Sequence, residues 1–269
     1  MKDLHAAVRL SCCLLVGLPS TASAGQDLSV LGGAALYSLK EHDRNGGLLV
    51  HESGWTPQAA LAWHRHYGLY SIGLSGDLVA GDIDYEGQTQ TGIPHQTVAQ
   101  HIRGQGTLAL TRHFGRAGEL SGLLRLEADW RDLQPRGNVS GAQEFYRHVW
   151  LGAGYAYEVW QASGHSVTMR TAWMKPVNSQ QDVYPQNGTD DFTLALDQGF
   201  AWEAGVDYAR RYAPGREWLL QAQCRHAHFD ASPPILATIN GAANGSAYYQ
   251  PEIEFRTCGV SVGIRRSWP

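Results

Sequence analysis

Beyond its first 24 residues, the sequence lacks any run that approaches the roughly 20 consecutive apolar residues of a membrane-spanning helix. We therefore expect no transmembrane helix. The mean hydropathy of −0.30 resembles that of a soluble protein. It is equally typical of a membrane β-barrel, because every second residue of a barrel strand faces a polar interior. The missing apolar run thus argues against a helical membrane protein and is compatible with a membrane β-barrel.

Positive charge is also scarce. The chain has a formal net charge of −4 at pH 7, and Lys2, Asp3 and Arg9 together contribute +1, which leaves −5 beyond the first 24 residues. A protein that binds nucleic acid presents a basic surface. We therefore expect no nucleic-acid partner.

Cysteine is rare as well, with four residues in the chain. Cys12 and Cys13 fall within a predicted export signal, so Cys224 and Cys258 remain. These two lie at similar heights on predicted lipid-facing positions of the last two strands. An oxidising compartment permits a disulfide between them, although such bonds between adjacent antiparallel strands are often strained, and two free buried thiols are the alternative. The cysteine count gives no metal site.

The first 24 residues have the pattern of a secretory signal. They combine a weakly basic start, an apolar core over residues 10–18 and a small-x-small cleavage site at residues 22–24. We predict that this signal is removed, that the mature chain begins at Gly25, and that residues 25–269 form one domain. A buried N-terminal helix is the alternative.

Long segments of alternating apolar and polar residues make up most of the remaining chain. Between residues 70 and 80, for example, Leu74 and Leu78 alternate with Ser75 and Asp77. Successive side chains of a strand point to opposite faces, so each segment has one apolar and one polar face. Because the segments are long, follow an export signal and end in aromatic residues, the apolar face is predicted to contact lipid and the charged face to line a lumen.

Short turns and long polar segments alternate between these strands, as in outer-membrane barrels. The long segments cover residues 41–55, 86–95, 135–142, 178–198 and 230–248. We place ten strands near residues 27–39, 56–66, 69–85, 96–114, 119–132, 143–160, 165–176, 199–212, 216–229 and 250–267. The predicted fold is all-β, a transmembrane antiparallel up-and-down β-barrel of about ten strands with both termini on the periplasmic side.

The predicted lumen is rich in charge of both signs. Its charged members are Arg103, Arg125, Arg131, Arg170, Arg225, Asp77, Glu127, Asp129, Glu203 and Asp207. A barrel of about ten strands is narrow enough for side chains to fill it, and buried charges are tolerated only when they pair. We expect a salt-bridged plug that fixes the barrel shape. A narrow channel lined by arginine is the alternative.

Asp82 and Asp84 are the first candidates for chemistry. Residues two apart on a strand share a face, so these carboxylates can share a proton or hold a water molecule. The ten-stranded omptin proteases are similar in strand number and in an aspartate pair near this place. That family also needs an Asp-x-His unit on the fourth surface loop, and residues 178–198 contain no histidine. We therefore assign no omptin-like catalytic residue.

Two histidine pairs are the next candidates. His226 and His228 share a strand face near Asp230, a pattern that suits a transition metal, and His64 and His66 lie beside a short turn. Interfacial or exposed histidines are the favoured interpretation, so we assign no metal-binding, cofactor-binding or catalytic residue. A lipid-modifying esterase would need a serine, a histidine and an acid in contact, and the sequence supports no such set.

At two places the chain resembles a broad, poorly characterised family of bacterial outer-membrane β-barrel proteins. Residues 81–87 (Gly-Asp-Ile-Asp-Tyr-Glu-Gly) resemble that family's Gly-x-Val-Asp-Tyr-x-Gly, and residues 91–94 resemble its Thr-Gly-x-Pro. Residues 250–263 resemble its closing pattern of Pro-Glu and then Gly-x-x-x-Gly. The resemblance implies an outer-membrane barrel and brings no catalytic residues. Such chains usually end in an aromatic residue, whereas this one ends in Trp268-Pro269.

These observations predict a non-catalytic protein of a Gram-negative outer membrane, with loops exposed at the cell surface and a structural or surface-interaction role. The expected partners are outer-membrane lipid, the barrel-assembly machinery and an extracellular ligand that the sequence does not identify. The alternatives are an outer-membrane enzyme, either omptin-like or a lipid-modifying hydrolase, and a narrow, porin-like channel. A soluble periplasmic β-protein is a further alternative.

Overall fold

The computed structural model describes residues 25–88, 92–115, 118–137, 141–196 and 198–269. The predicted export signal lies outside these ranges. No helix within them is long and apolar enough to cross a membrane. The described strands are β1 (Gln26–His42), β2 (Leu48–Tyr67), β3 (Tyr70–Gln88), β4 (Pro94–Phe114), β5 (Gly118–Leu133), β6 (Ala142–Ala162), β7 (His165–Pro185), β8 (Phe192–Ala195), β9 (Gly199–Ala213), β10 (Arg216–Phe229), β11 (Ile235–Ile239), β12 (Ala242–Tyr248) and β13 (Glu252–Trp268).

Ten of these strands close into an antiparallel barrel. Their order is β6, β5, β4, β3, β2, β1, β13, β10, β9, β7, and β7 pairs back with β6. The first and last strands seal the wall, from Gln26 opposite Trp268 to His42 opposite Glu252. Among the described strands, closure leaves no unpaired edge along the barrel wall, and it confirms the predicted fold. β8 extends one end of β7, and β11 and β12 form a separate hairpin.

An apolar belt surrounds the barrel on its outer face. Its exposed side chains include Leu110, Leu124, Leu151, Trp173, Val206 and Val262. The same strands point charged residues inwards, such as Arg103, Arg125 and Glu127, all of them buried. The two faces predicted from the alternation are therefore confirmed.

Beyond the belt, at the end with the long connections, the polarity of the two faces inverts. On β3, Leu78 and Ala80 face outwards, but they are followed on that face by Asp82 and Asp84, both exposed. The inner face changes in the opposite sense, to Ile83 and Tyr85, which are buried. The strands thus extend past the apolar belt, and the barrel interior there encloses a small hydrophobic core.

Two of the predicted long loops are wrong in extent. Residues 41–55 are mostly strand, because β2 begins at Leu48 and only residues 43–47 connect it to β1. Residues 178–198 are also partly strand, because β7 continues to Pro185 and β8 pairs with its end. A strand that extends past the belt carries polar residues on its outer face, so its composition resembles that of a loop.

Short turns join the strands at the opposite end of the barrel. Gly68 links β2 to β3 with φ +62°, and Gly215 links β9 to β10 with φ +64°. These positive φ values suit glycine, because a side chain would be strained there. The predicted contrast between short turns at one end and longer connections at the other is present in the fold.

Candidate functional site

Paired charges cross the barrel interior at two levels. At the first, two guanidinium nitrogens of Arg225 donate to the carboxylate of Glu127, each at 2.6 Å. Trp150 Nε1 donates to the same carboxylate at 3.0 Å. Beside them Arg125 pairs with Glu203, with Nη2 3.0 Å from Oε2. These four predicted lumen charges therefore pair across the barrel, whereas Arg103 donates to Thr257 and Asp77 accepts from Gln105.

The second level lies nearer the long connections and is centred on Arg131. This arginine donates to Glu52 at 2.7 Å, to the Tyr146 hydroxyl at 2.6 Å and to Glu144. Arg131 is 1% exposed and Glu52 is fully buried. The sequence assigned Arg131 to the lumen but missed Glu52, because that residue lies in a segment predicted as a loop.

Aromatic rings fill the space around these ion pairs. His148 stacks on Phe229 with ring centroids 4.8 Å apart, and Phe255 meets Phe229 edge-on at 6.1 Å. The Arg225 guanidinium lies over the Trp150 ring, 5.2 Å from its centroid. Phe229 and Trp150 are fully buried. Such burial stabilises the barrel.

A cavity of about 500 Å³ lies beyond these layers, between the long connections. We call it the mouth cavity. Its described lining includes three carboxylates, Glu41, Asp43 and Glu144, and neither lysine nor arginine. Phe192 and Tyr248 form part of the wall, with stacked rings 5.0 Å apart. The cavity therefore combines acidic groups with aromatic faces.

Glu41 lies at the inner wall of the mouth cavity, beyond the apolar belt. Gln250 Nε2 donates to its Oε1 at 2.9 Å. Burial raises the pKa of Glu41 to about 7, and the negative charge of Glu144 adds to this shift, while Arg131 opposes it. Glu52 raises the pKa further. Among these neighbours a single arginine faces three carboxylates, so this end of the interior has an excess of negative charge.

Asp82 and Asp84 do share one face of β3, as their spacing predicts, but that face is the outer one. Both are exposed, while Ile83 between them points into the barrel and is 1% exposed. The pair therefore does not face a cleft inside the barrel.

The histidine pairs lie on opposite faces of the barrel wall. His228 is on the outer face, with Nε2 3.1 Å from Asp230 and Nδ1 3.7 Å from Glu252. Ligand atoms of His228, Glu252 and Glu254 lie within 4.8 Å of one another, the spacing of a possible metal site. His64 instead faces the lumen at the short-turn end, together with His66.

Cys224 and Cys258 are directly opposite on β10 and β13, with Cα atoms 4.0 Å apart, and form a disulfide. The bond joins the closing strand β13 to its neighbour. Of the two alternatives left by the sequence, the structure contains the bonded one.

No protein-family model and no curated protein matches the sequence. Solved structures do match. The outer-membrane protease OmpT from Escherichia coli is 11% identical, over 94% of this chain and 99% of that chain, with a TM-score of 0.63. The translocator domain of the autotransporter NalP from Neisseria meningitidis is 9% identical, over 93% of this chain and 90% of that chain, with a TM-score of 0.50.

The fold is that of an outer-membrane β-barrel. At such low identities the likeness extends to the fold alone. Neighbours of this kind include a protease and a translocator, so the fold does not decide between activities, and any function has to be argued from the side chains of this chain.

Proposed function

We propose that this chain is an outer-membrane protein of a Gram-negative bacterium, closed to ion flow, which binds an extracellular ligand at its mouth cavity. The observation that carries the proposal is the filled interior. Two levels of buried ion pairs, centred on Arg225 and Arg131, alternate with buried rings such as Trp150 and Phe229. Such packing supports a plug in preference to the narrow channel.

The orientation belongs to this proposal. In barrels of this class, short turns face the periplasm and longer loops face outwards. The mouth cavity then opens to the cell exterior and the apolar belt contacts outer-membrane lipid. Barrel-assembly machinery is the partner expected during insertion, and the disulfide of Cys224 and Cys258 suits an oxidising compartment.

The chemistry of the mouth cavity favours a small organic cation as ligand. A cation is attracted by Glu41, Asp43 and Glu144, and the faces of Tyr248 and Phe192 can hold a quaternary or primary ammonium group. Glu41, Glu52 and Glu144 outnumber Arg131, the one arginine among these neighbours. A bound cation would offset part of their negative charge. An anionic ligand would meet repulsion from the same groups.

Closure is tested by planar-bilayer conductance of the purified barrel. We expect no steady openings above the bilayer background, because buried ion pairs and buried rings cross the interior at two levels. A matched variant, Trp150→Gly with Phe229→Gly, removes two plug side chains and should increase conductance. Steady, reproducible openings of the unmodified protein would refute the closed state.

Ligand binding is tested by calorimetric titration with spermidine in detergent micelles. Because a bound cation favours ionised Glu41, whose pKa is about 7, binding should weaken as the pH falls from 8 to 5 and should release protons near pH 6.5. Glu41→Gln should weaken binding severalfold at pH 8 and remove most of the pH dependence. Glu254→Gln, which removes a carboxylate from the outer face of β13, is the matched control. Equal affinity for the two variants would contradict the assigned site.

A further inference from the structure

We propose a second site at the opposite end of the barrel, where Ser71, His113 and Glu119 form a serine-hydrolase triad that cleaves short-chain carboxylic esters. This activity goes beyond the binding function proposed above and departs from the non-catalytic role that the sequence favoured. It does not depend on the mouth cavity.

The three side chains have the contacts of a nucleophile, a base and an orienting acid. Ser71 Oγ is 2.9 Å from His113 Nε2, and His113 Nδ1 is 3.1 Å from Glu119 Oε1. Each imidazole nitrogen thus faces the partner that it needs, since a base has to reach the nucleophile with one nitrogen and the acid with the other. Ser71 is 5% exposed, so its hydroxyl is largely shielded from bulk water.

Three neighbouring strands of the barrel wall hold the triad. Ser71 is the second residue of β3, His113 the last but one of β4 and Glu119 the second of β5, so all three lie at the short-turn end. His113 is directly opposite Glu119, and Ser71 is opposite Thr111, two residues from His113 on the same face. Sites built on strands hold their geometry better than sites on loops. The sequence could not reveal this set, because its members belong to different strands.

A cavity lies beside the triad and opens at the short-turn end of the lumen. Its volume is about 280 Å³, and its lining includes all three triad members. Farther in, the wall combines apolar residues, among them Ala109, Leu123 and Ala172, with the charged side chains of Arg170 and Glu203. This size is at the lower limit of ligand pockets. It suits a short acyl chain and is too small for a long fatty acyl group.

A pair of hydroxyl groups supplies a donor for the developing oxyanion. Thr111 Oγ1 and Ser121 Oγ are 2.7 Å apart and both line the cavity. One hydroxyl donates to the other, so the second keeps its own proton free to donate outwards. Thr111 is the cross-strand partner of Ser71, which places this donor next to the nucleophile. A donor aimed at the oxyanion lowers the barrier to acyl transfer.

A second polar set shares the cavity and gives a matched control. Asp27 contacts His64 Nδ1 at 3.0 Å and His66 Nε2 at 3.1 Å. The His66 ring is 5.7 Å from the His113 ring. His64 contacts an acid but no serine among its described hydrogen bonds, so it has the acid partner of a triad histidine without a nucleophile. A substitution of His64 therefore distinguishes triad chemistry from unspecific catalysis by any imidazole in the cavity.

Water is the only reactant that the reaction needs besides the ester. Ser71 Oγ attacks the ester carbonyl carbon while His113 Nε2 takes the hydroxyl proton. The intermediate collapses as its bond to the alcohol oxygen breaks, and His113 returns the proton to that oxygen. Water then attacks the acyl-serine and gives a proton to His113, which passes it to Ser71 Oγ as the acyl bond breaks. One ester and one water yield one carboxylic acid and one alcohol.

The first test is covalent labelling of the refolded barrel with a small fluorophosphonate, in which Oγ–P forms as P–F breaks. The tryptic peptide of residues 66–103 contains two serines, Ser71 and Ser75. We expect the label on this peptide, and we expect Ser71→Ala to abolish it while Ser75→Ala retains it. Ser75 lies four residues along the same face of β3. A label that survives in Ser71→Ala, or no label in the unmodified protein, overturns the proposal.

The second test is hydrolysis of p-nitrophenyl butyrate and p-nitrophenyl palmitate in micelles. We expect turnover of the butyrate ester and none of the palmitate ester. Ser71→Ala and His113→Gln should each lose at least about a hundredfold in rate, whereas His64→Gln should stay within about twofold. Heat-modifiable migration on gels checks that every variant folds. Equal rates for Ser71→Ala and the unmodified barrel would show only imidazole catalysis and would overturn the proposal.

Discussion

At the residue scale, Arg131 is the side chain on which the interior depends most. It contacts Glu52 and Glu144, and its charge opposes the pKa increase of Glu41. We predict that Arg131→Met destabilises the barrel by about 3–5 kcal/mol at neutral pH, because buried carboxylates lose their only close cation in this group. The measurement is urea unfolding in lipid vesicles, followed by tryptophan fluorescence.

The control for this prediction is Arg256→Met. Arg256 pairs with Glu254 at 3.5 Å on the outer surface, where ion pairs contribute about 0–1 kcal/mol. The cost of Arg131→Met should shrink as the pH falls towards 4, because the carboxylates can then take up protons. A cost that is equal for the two variants, or that does not change with pH, would mean that Arg131 acts through its packing and not through its charge.

At the element scale, the strands follow from the sequence wherever lipid is the outer solvent. Alternation of apolar and polar residues gave β3 and β5 with nearly correct bounds, because lipid demands an apolar outer face. The prediction failed over residues 48–55 and 178–185. There the strand extends past the belt and its outer face carries polar residues, while buried inward residues such as Glu52 and Gln181 are polar as well. Local composition cannot distinguish such a strand from a loop without its pairing partners.

The sites are also assembled from separate elements, which limits what one sequence can predict. The charged lumen was predictable, since Arg225 and Glu127 fall on the polar side of clear strands. Glu52 and Glu41 were not, because both fall in a segment that resembled a loop. The contact of Ser71 with His113 depends on the register between β3 and β4, and a shift of one residue would place the two side chains on opposite faces.

At the scale of the whole molecule, the two proposed sites occupy opposite ends of one closed barrel. The buried ion pairs of Arg131 and Arg225 lie between them. In the proposed orientation the triad opens to the periplasm and the mouth cavity to the exterior. The orientation therefore decides which molecules each site can meet.

Cysteine labelling of intact cells tests that orientation. We predict that Asn45→Cys, in the exposed connection between β1 and β2, reacts with a membrane-impermeant maleimide. Pro214→Cys, in the exposed short turn between β9 and β10, should react only after the outer membrane is permeabilised. The native Cys224 and Cys258 are bonded to each other and should not react. The reverse pattern would place the triad at the cell surface.

Recovery of the protein in the soluble periplasmic fraction would instead mean that the apolar belt does not contact lipid, and the proposed membrane location would be wrong.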